Sequence, residues 1–542
     1  MYERPFISLS IPAGFLALAL AAVAAGWWWL GKPVAMPEAS PAQGEKLYCV
    51  SYAPFRGEQS PLSAGTHIPA TQIEEDLARL KAVTGCIRSY STEHGLDQIP
   101  EIARRHGLKL LQGLWLSSDP LKNETRIAEA IDLAKSYPDV ISAVVVGNEV
   151  LLRGEMAAPE LAAIIRRVKA EVPMPVTYAD VWEFWLRHRE VAAAVDFITI
   201  HILPYWEDFP IPATQAAAHV DAIYREMATA FPGREILIGE TGWPSAGRMR
   251  EAALPSLSNQ ARAIQETLAM ARRDGFRVNV IEAFDQPWKR RLEGTVGGFW
   301  GLHDAATREA KFALGVPVSD YPLWREHAAG GLLLAFLVFG AAGLARRGRK
   351  EPVPAMLWLA VAVNAALAGV FVGLAVEKAL VESLGFGGWL RSLALVTLAL
   401  VVPFAASAGL MRGVAAASFA ETLGGEASAC RLPVLLGWLL AAVTVMALAL
   451  ALGLVFDPRY RDFPYAPLTA AILPFMVLSL AAARRNGARG VSEIFAGATL
   501  ALSAIYILFN ETFANWQSLW LCALLAILAL ILFRARHGAA PG

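Results

Sequence analysis

Residues Ile236–Ser245 read I-L-I-G-E-T-G-W-P-S, a short apolar run that ends in Gly, Trp and Pro. This is the pattern of a buried strand opening into a loop, with Glu240 at the changeover. Earlier in the chain, Val140–Val150 repeats it as V-I-S-A-V-V-V-G-N-E-V, again an apolar strand, a Gly, and then Glu149. A single glutamate at a strand end is more often a helix cap or a solvated loop residue. Two of them, each delivered by its own strand, match what glycoside cleavage requires. One carboxyl protonates the leaving sugar oxygen while the other attacks or stabilises the oxocarbenium-like carbon.

Working outward, short strand-like runs alternate with amphipathic helical patterns from Lys46 onward. Strands are expected at 47–52, 86–90, 108–114, 141–147, 175–179, 197–202, 235–239 and 279–284, with helices at 71–83, 121–137, 159–171 and 258–273. Eightfold strand–helix alternation predicts an α/β fold, a (β/α)8 TIM barrel, whose active site gathers at the C-terminal strand ends. The alternative is a doubly wound open sheet, but no Gly-rich phosphate loop follows the first strand.

The N-E pair at Asn148-Glu149, the G-E-T-G-W-P-S stretch from Gly239, and F-D-Q-P-W-K at Phe284–Lys289 resemble family 17 glycoside hydrolases, the β-1,3-glucanase family of retaining barrels. The likeness covers roughly residues 45–315. It implies that Glu149 is the acid/base, with a raised pKa, and Glu240 the nucleophile, at the ends of strands four and seven. It implies also that Asn148 hydrogen-bonds the sugar 2-hydroxyl. The family's F-D-E-x-W-K pattern has a carboxylate where this chain has Gln286, which puts the charge network around Lys289 in question.

Sugar rings present apolar C–H faces, so aromatic side chains at strand ends are candidate cleft walls. Tyr52, Tyr90, Trp115, Tyr178, Trp182, Tyr205, Trp206, Trp243, Phe284 and Trp288 qualify, about half of them expected to be core instead. Trp243 and Trp288 rank first because they sit in the matched motifs, and Lys289 joins the substrate-binding candidates. Arg88 reads either as a partner holding Glu240 ionised or as a structural arginine. His201 reads either as a donor to a sugar hydroxyl or as a satisfied core histidine. Cys49 and Cys86 fall on the first two strands, which are neighbours in a barrel, so they form a disulfide or remain two unrelated thiols. Four cysteines at unrelated spacings make no metal motif, and neither a metal nor a cofactor is expected.

Across 542 residues the hydrophobic fraction is 55%, too high for a soluble enzyme of this size. The excess lies at the two ends. Residues 1–30 form an apolar segment ending in Trp27-Trp28-Trp29, read as an uncleaved anchor in preference to a signal peptide. A Pro-rich linker at 31–44 leads to the barrel at 45–325. Residues 326–536 hold about seven apolar stretches of transmembrane type, and 537–542 form a tail. Basic residues, including Arg346, Arg347, Arg349 and Lys350, then Arg412, Arg431, Arg484, Arg485, Arg489, Arg534 and Arg536, crowd the connections on one side. That places both termini in the cytoplasm and the barrel outside it; the resemblance, to multi-spanning bacterial members, implies a bacterial inner membrane with the barrel in the periplasm. Forty-eight basic and 48 acidic residues balance, which gives no reason to expect nucleic acid as a partner.

Together these features predict a membrane-anchored β-glucan transglycosylase resembling β-(1,6)-glucan synthases. Its expected partners are β-glucan, membrane lipid, and a glucan synthase or exporter docked on the membrane helices. A β-1,3-glucanase with the same glutamates is the first alternative, and a non-catalytic glucan-binding or export subunit the second.

Overall fold

The computed structural model describes residues 6–37, 45–347, 351–424, 431–481 and 489–535. The chain divides into two compact units, one of Val34–Val318 and one of Met1–Pro33 with Ser319–Gly542.

The first unit is a closed barrel of eight parallel strands: β1 (Cys49–Ser51), β2 (Cys86–Arg88), β3 (Lys109–Leu114), β4 (Ile141–Asn148), β5 (Val176–Val181), β6 (Ile198–His201), β7 (Ile236–Thr241) and β8 (Arg277–Val280). Alternation within the strands sorts side chains onto two faces. Val50, Ile87, Leu110, Val144 and Ile198 join a large core with the surrounding helices, while Cys49, Cys86, Leu111, Ala143, Val145 and Leu237 form a second, smaller cluster. Cys49 and Cys86 are joined by a disulfide. The helices Ala70–Leu80, Pro120–Ser136, Ala158–Glu171 and Leu257–Asp274 occupy the expected stretches. Asp119 and Ser256 cap two of them through side-chain oxygens that accept backbone N–H groups.

The last strand departs from the expectation of 279–284. β8 starts two residues earlier and ends at Val280. Beyond it the backbone takes up a second partner segment: Glu282 N donates to Trp300 O (3.2 Å), and Leu302 N donates to Glu282 O (2.7 Å). Apolar periodicity cannot register that added partner, because the residues stay buried throughout. An antiparallel bridge between Val34 and Val318 closes the unit, so residues 34–37 of the expected linker belong with the barrel. Residues 38–44 of the linker, with the tail at 537–542, Arg349, Lys350, Arg484, Arg485, Arg536 and Cys430, lie outside the described residues.

The second unit is all helical. Among the described residues, seven helices are long and apolar enough to cross a membrane: Ile11–Leu30, Trp324–Ala345, Ala355–Glu382, Gly385–Arg412, Arg431–Phe456, Val491–Glu511 and Trp516–Arg534. Tyr465–Ala481, at 17 residues, is apolar but shorter. Apolar side chains cover these helices on nearly all sides, as expected of helices facing both one another and lipid.

Candidate active site

The strand ends deliver the site. Gly147 (φ +87°) and Glu149 (φ +53°) both take left-handed backbone, and the chain turns sharply as β4 ends. For a glutamate that conformation is uncommon and marks a position under constraint. Arg153 braces the turn, donating to the carbonyls of Asn148 and Leu116. Opposite, a side chain at Gly239 would strike Thr199 Cγ2 at 2.3 Å, so a residue without Cβ lets β7 close against β6 just before Glu240.

His201 lies between the two glutamates. Its Nδ1 is 2.8 Å from Glu149 Oε1, and its Nε2 is 3.7 Å from Glu240 Oε1. Ligand atoms of Glu149, His201 and Glu240 all fall within 4.8 Å of one another. A cation would be drawn to such a cluster, and Arg88 already provides one. Its Nη1 donates to Glu240 Oε1 (3.0 Å) and Gly239 O (2.8 Å) and lies 3.3 Å from His201 Nε2. Arginine can only donate, so in the neutral ring Nε2 accepts from it and Nδ1–H donates to Glu149. Nη2 of Arg88 holds Asn148 Oδ1 at 2.6 Å. Tyr90 completes the set by donating its hydroxyl to Glu240 Oε1 at 2.8 Å.

Burial alone would raise the pKa of Glu240. The charge of the imidazole ring of His201 whenever it carries two protons, then Arg88 and Lys289, with the Tyr90 hydrogen bond, outweigh it and hold the carboxyl below its ordinary value. Burial and the neighbouring Glu240 push Tyr90 well above the usual phenol range, so its hydroxyl keeps its proton.

The structure therefore brings together Glu149, Glu240, Asn148, Arg88, Tyr90 and His201. Lys289 acts on Glu240 through its charge, and several aromatic candidates are buried instead. Tyr52, Tyr178, Tyr205, Trp243 and Phe284 are at most 1% exposed, which leaves no face for a sugar ring. Large rings fill cores as readily as clefts. Their polar ends have protein partners: Tyr52 donates to Asp76, Tyr205 to Arg248 O, and Trp243 to Leu254 O. Tyr178 donates to Asp180 and accepts from Leu151 N, holding the loop that follows Glu149. Trp115, Trp182, Trp206 and Trp288 stay half-buried.

Gln286 donates to Ala53 O (2.8 Å) and accepts from Trp288 Nε1 (2.9 Å), whereas an ionised carboxylate there could only accept. Lys289 does not lack a carboxylate. Glu282 receives its Nζ on both oxygens, at 3.0 and 2.9 Å. Burial raises Glu282 to about 7 against the pull of Lys289. Asp180 rises to about 6, mainly through burial. Sequence reasoning passed over Asp180, Glu282 and Arg153. Asp180 had a visible signal, a carboxylate at the end of β5. Glu282 had none once it was read as interior to a strand.

A closed parallel barrel with two carboxylates converging from the ends of β4 and β7 defines the class: a barrel of the glycoside hydrolase type. Residues 49–301, a little under half the chain, match the family model of the BtgE/BtgC glycoside hydrolase domain. The chain is 30% identical over 225 residues to the probable beta-glucosidase btgE of Aspergillus fumigatus, covering 40% of this chain and 39% of that one. It is 27% identical over 261 residues to a glucan 1,3-beta-glucosidase of Candida albicans, covering 44% of this chain and 84% of the other. The chain thus spans only about two fifths of the first of these relatives. Among solved structures, a glycoside hydrolase family 17 beta-1,3-glucanosyltransferase from Rhizomucor miehei aligns with a TM-score of 0.42 and 23% identity, over 49% of this chain and 95% of that one.

Proposed function

We propose that this chain is a membrane-anchored, retaining β-glucan transglycosylase, with Glu240 as nucleophile and Glu149 as acid/base. The observation that carries the reading is the convergence of the two carboxylates on His201, with one oxygen of each within 4.8 Å of the other. That is close to the ~5–5.5 Å of retaining enzymes and short of the ~6.5–9.5 Å that inverting enzymes leave for water. Ionised Glu240 attacks the anomeric carbon as Glu149 gives its proton to the departing sugar oxygen. The C–O bond to the leaving sugar breaks and an ester to Glu240 forms. Glu149, now a carboxylate, takes the proton of an incoming sugar hydroxyl, whose oxygen displaces Glu240 and restores the β configuration. Arg88 and Tyr90 keep Glu240 anionic before attack and stabilise it as it leaves.

The acceptor in this reading is a β-1,3-glucan hydroxyl, and the product includes β-1,6 branches. The Cys49–Cys86 disulfide suits an extracytoplasmic compartment. The apolar helices suit a bacterial inner membrane, with the barrel in the periplasm and a glucan synthase or exporter docked beside them. Hydrolysis by the same residues is the second reading, favoured by relatives that are named beta-glucosidases. Laminari-oligosaccharides incubated with the full chain distinguish the two. Products longer than the donor, or carrying new 1,6-linkages, are expected; only shorter ones would establish hydrolysis, and binding without turnover would leave a glucan-binding subunit.

A further inference from the structure

The helical unit contains a cavity of about 140 Å³ lined by the helices Ala355–Glu382, Gly385–Arg412 and Arg431–Phe456 and by the segment leading into Tyr465–Ala481. Its charged lining, Lys378, Glu382, Arg391, Arg461 and Asp462, lies near helix ends or in the connection between helices. Its apolar lining, including Leu395, Met446 and Leu450, lies deeper. Met446 is ten residues before the helix end at Phe456, about 15 Å along the axis at 1.5 Å per residue. The cavity is thus polar at the helix ends and apolar toward the middle of the bundle.

Lys378 is paired with Glu382 at 2.7 Å, one turn along the same helix, and Arg461 with Asp457 at 3.0 Å. Arg391 is half-buried and, among the described residues, forms no direct hydrogen bond or salt bridge; its electrostatic neighbour across the cavity is Glu382, whose carboxylate is already held by Lys378. A guanidinium withdrawn from water needs an anion, and its planar fork fits phosphate oxygens two at a time. Glu382 and Asp462, as acceptors, suit hydroxyls beside that phosphate.

We infer that this cavity binds one phosphate-headed amphiphile. Arg391 holds the phosphate, Glu382 and Asp462 receive headgroup hydroxyls, and the chain runs along Leu395, Met446 and Leu450. A bilayer phosphatidylglycerol and a polyprenyl-phosphate sugar share this chemistry. The site rests on the helical unit lying in a bilayer and is independent of what the barrel catalyses.

The test uses the full chain in nanodiscs of a phosphate-free lipid, digalactosyldiacylglycerol, doped with phosphatidylglycerol, polyprenyl phosphoglucose or diacylglycerol, with bound lipid counted by native mass spectrometry. Wild type should retain one phosphate-bearing lipid per chain and no diacylglycerol. Whichever phosphate lipid displaces the other identifies the source. R391Q should lower retention at least about tenfold, the scale of a lost charge-assisted hydrogen bond, and R391K should recover part of it. Equal retention of diacylglycerol by wild type, undiminished retention by R391Q, or inserted wild type with no stoichiometric lipid would each overturn the site. A chain that fails to insert removes the bilayer reading and the site with it, whatever the barrel does to glucan.

Discussion

In the proposed role of nucleophile, Glu240 must be ionised to attack and buried to be shielded from water, and these demands conflict. Arg88, His201, Lys289 and Tyr90 resolve them by stabilising the anion where burial opposes it. The sign of a test follows. Tyr90→Phe removes a hydrogen bond to the charged form, so the pKa of Glu240 rises and the acidic limb of kcat/KM moves to higher pH, by about one unit. An unmoved limb with normal turnover would mean that Glu240 is not the group titrating there. At this scale the sequence was informative about what must be charged and poor about where rings go. Glu149, Glu240 and Asn148 stood in motifs whose chemistry demands a strand end. Tyr205 and Trp243 stood at strand ends as well, yet they point into packing, because an apolar ring is satisfied equally by a sugar or by a neighbour such as Trp300.

Among the elements, β1 to β7 were legible because a buried parallel strand is a dense apolar run closed by Gly, Pro or Asn, with little else in the chain resembling it. β8 was not, since Ile281–Asp285 takes up Trp300 and His303 as backbone partners without any change in burial. The β1–β2 pair carries the disulfide, which closes a segment with a sequence separation of 37 and should stabilise the barrel by about 2–4 kcal/mol. Cys49→Ala with Cys86→Ala is expected to lower the unfolding free energy by that amount. Thiol labelling of the denatured, unreduced chain should reach two of its four cysteines. Four labelled cysteines would contradict the pairing.

Across the whole molecule, two solvents are written into one sequence. Residues of the barrel carry ordinary charge density, while the helical unit exposes Leu333, Phe336, Leu393 and Phe495 on surfaces that water would not tolerate in such number. That contrast made the division legible from composition alone. The boundary itself was less so, because the Val34–Val318 bridge depends on a pairing between distant residues that no local pattern announces. The proposed orientation predicts that a reporter fused after Arg347 behaves as cytoplasmic and one inserted near Asp457 as periplasmic. The reverse pattern would put the barrel on the wrong side for exported glucan.

The central claim is that Glu240 and Glu149 play different parts in one double displacement, and paired alanine variants test it directly. Glu240→Ala should lose turnover of β-glucans, and added azide should then give an α-glycosyl azide from the vacated face. Glu149→Ala should be nearly inert on glucans yet still form the intermediate from activated aryl glucosides, which need little protonation. Proton donation is worth about 10²–10⁴-fold, so its loss should grow with leaving-group pKa. Azide attacking the glycosyl-enzyme of Glu149→Ala should give the β-azide instead. Opposite anomers from the two variants are the predicted result; the same anomer from both, or wild-type turnover in either, would contradict the assignment.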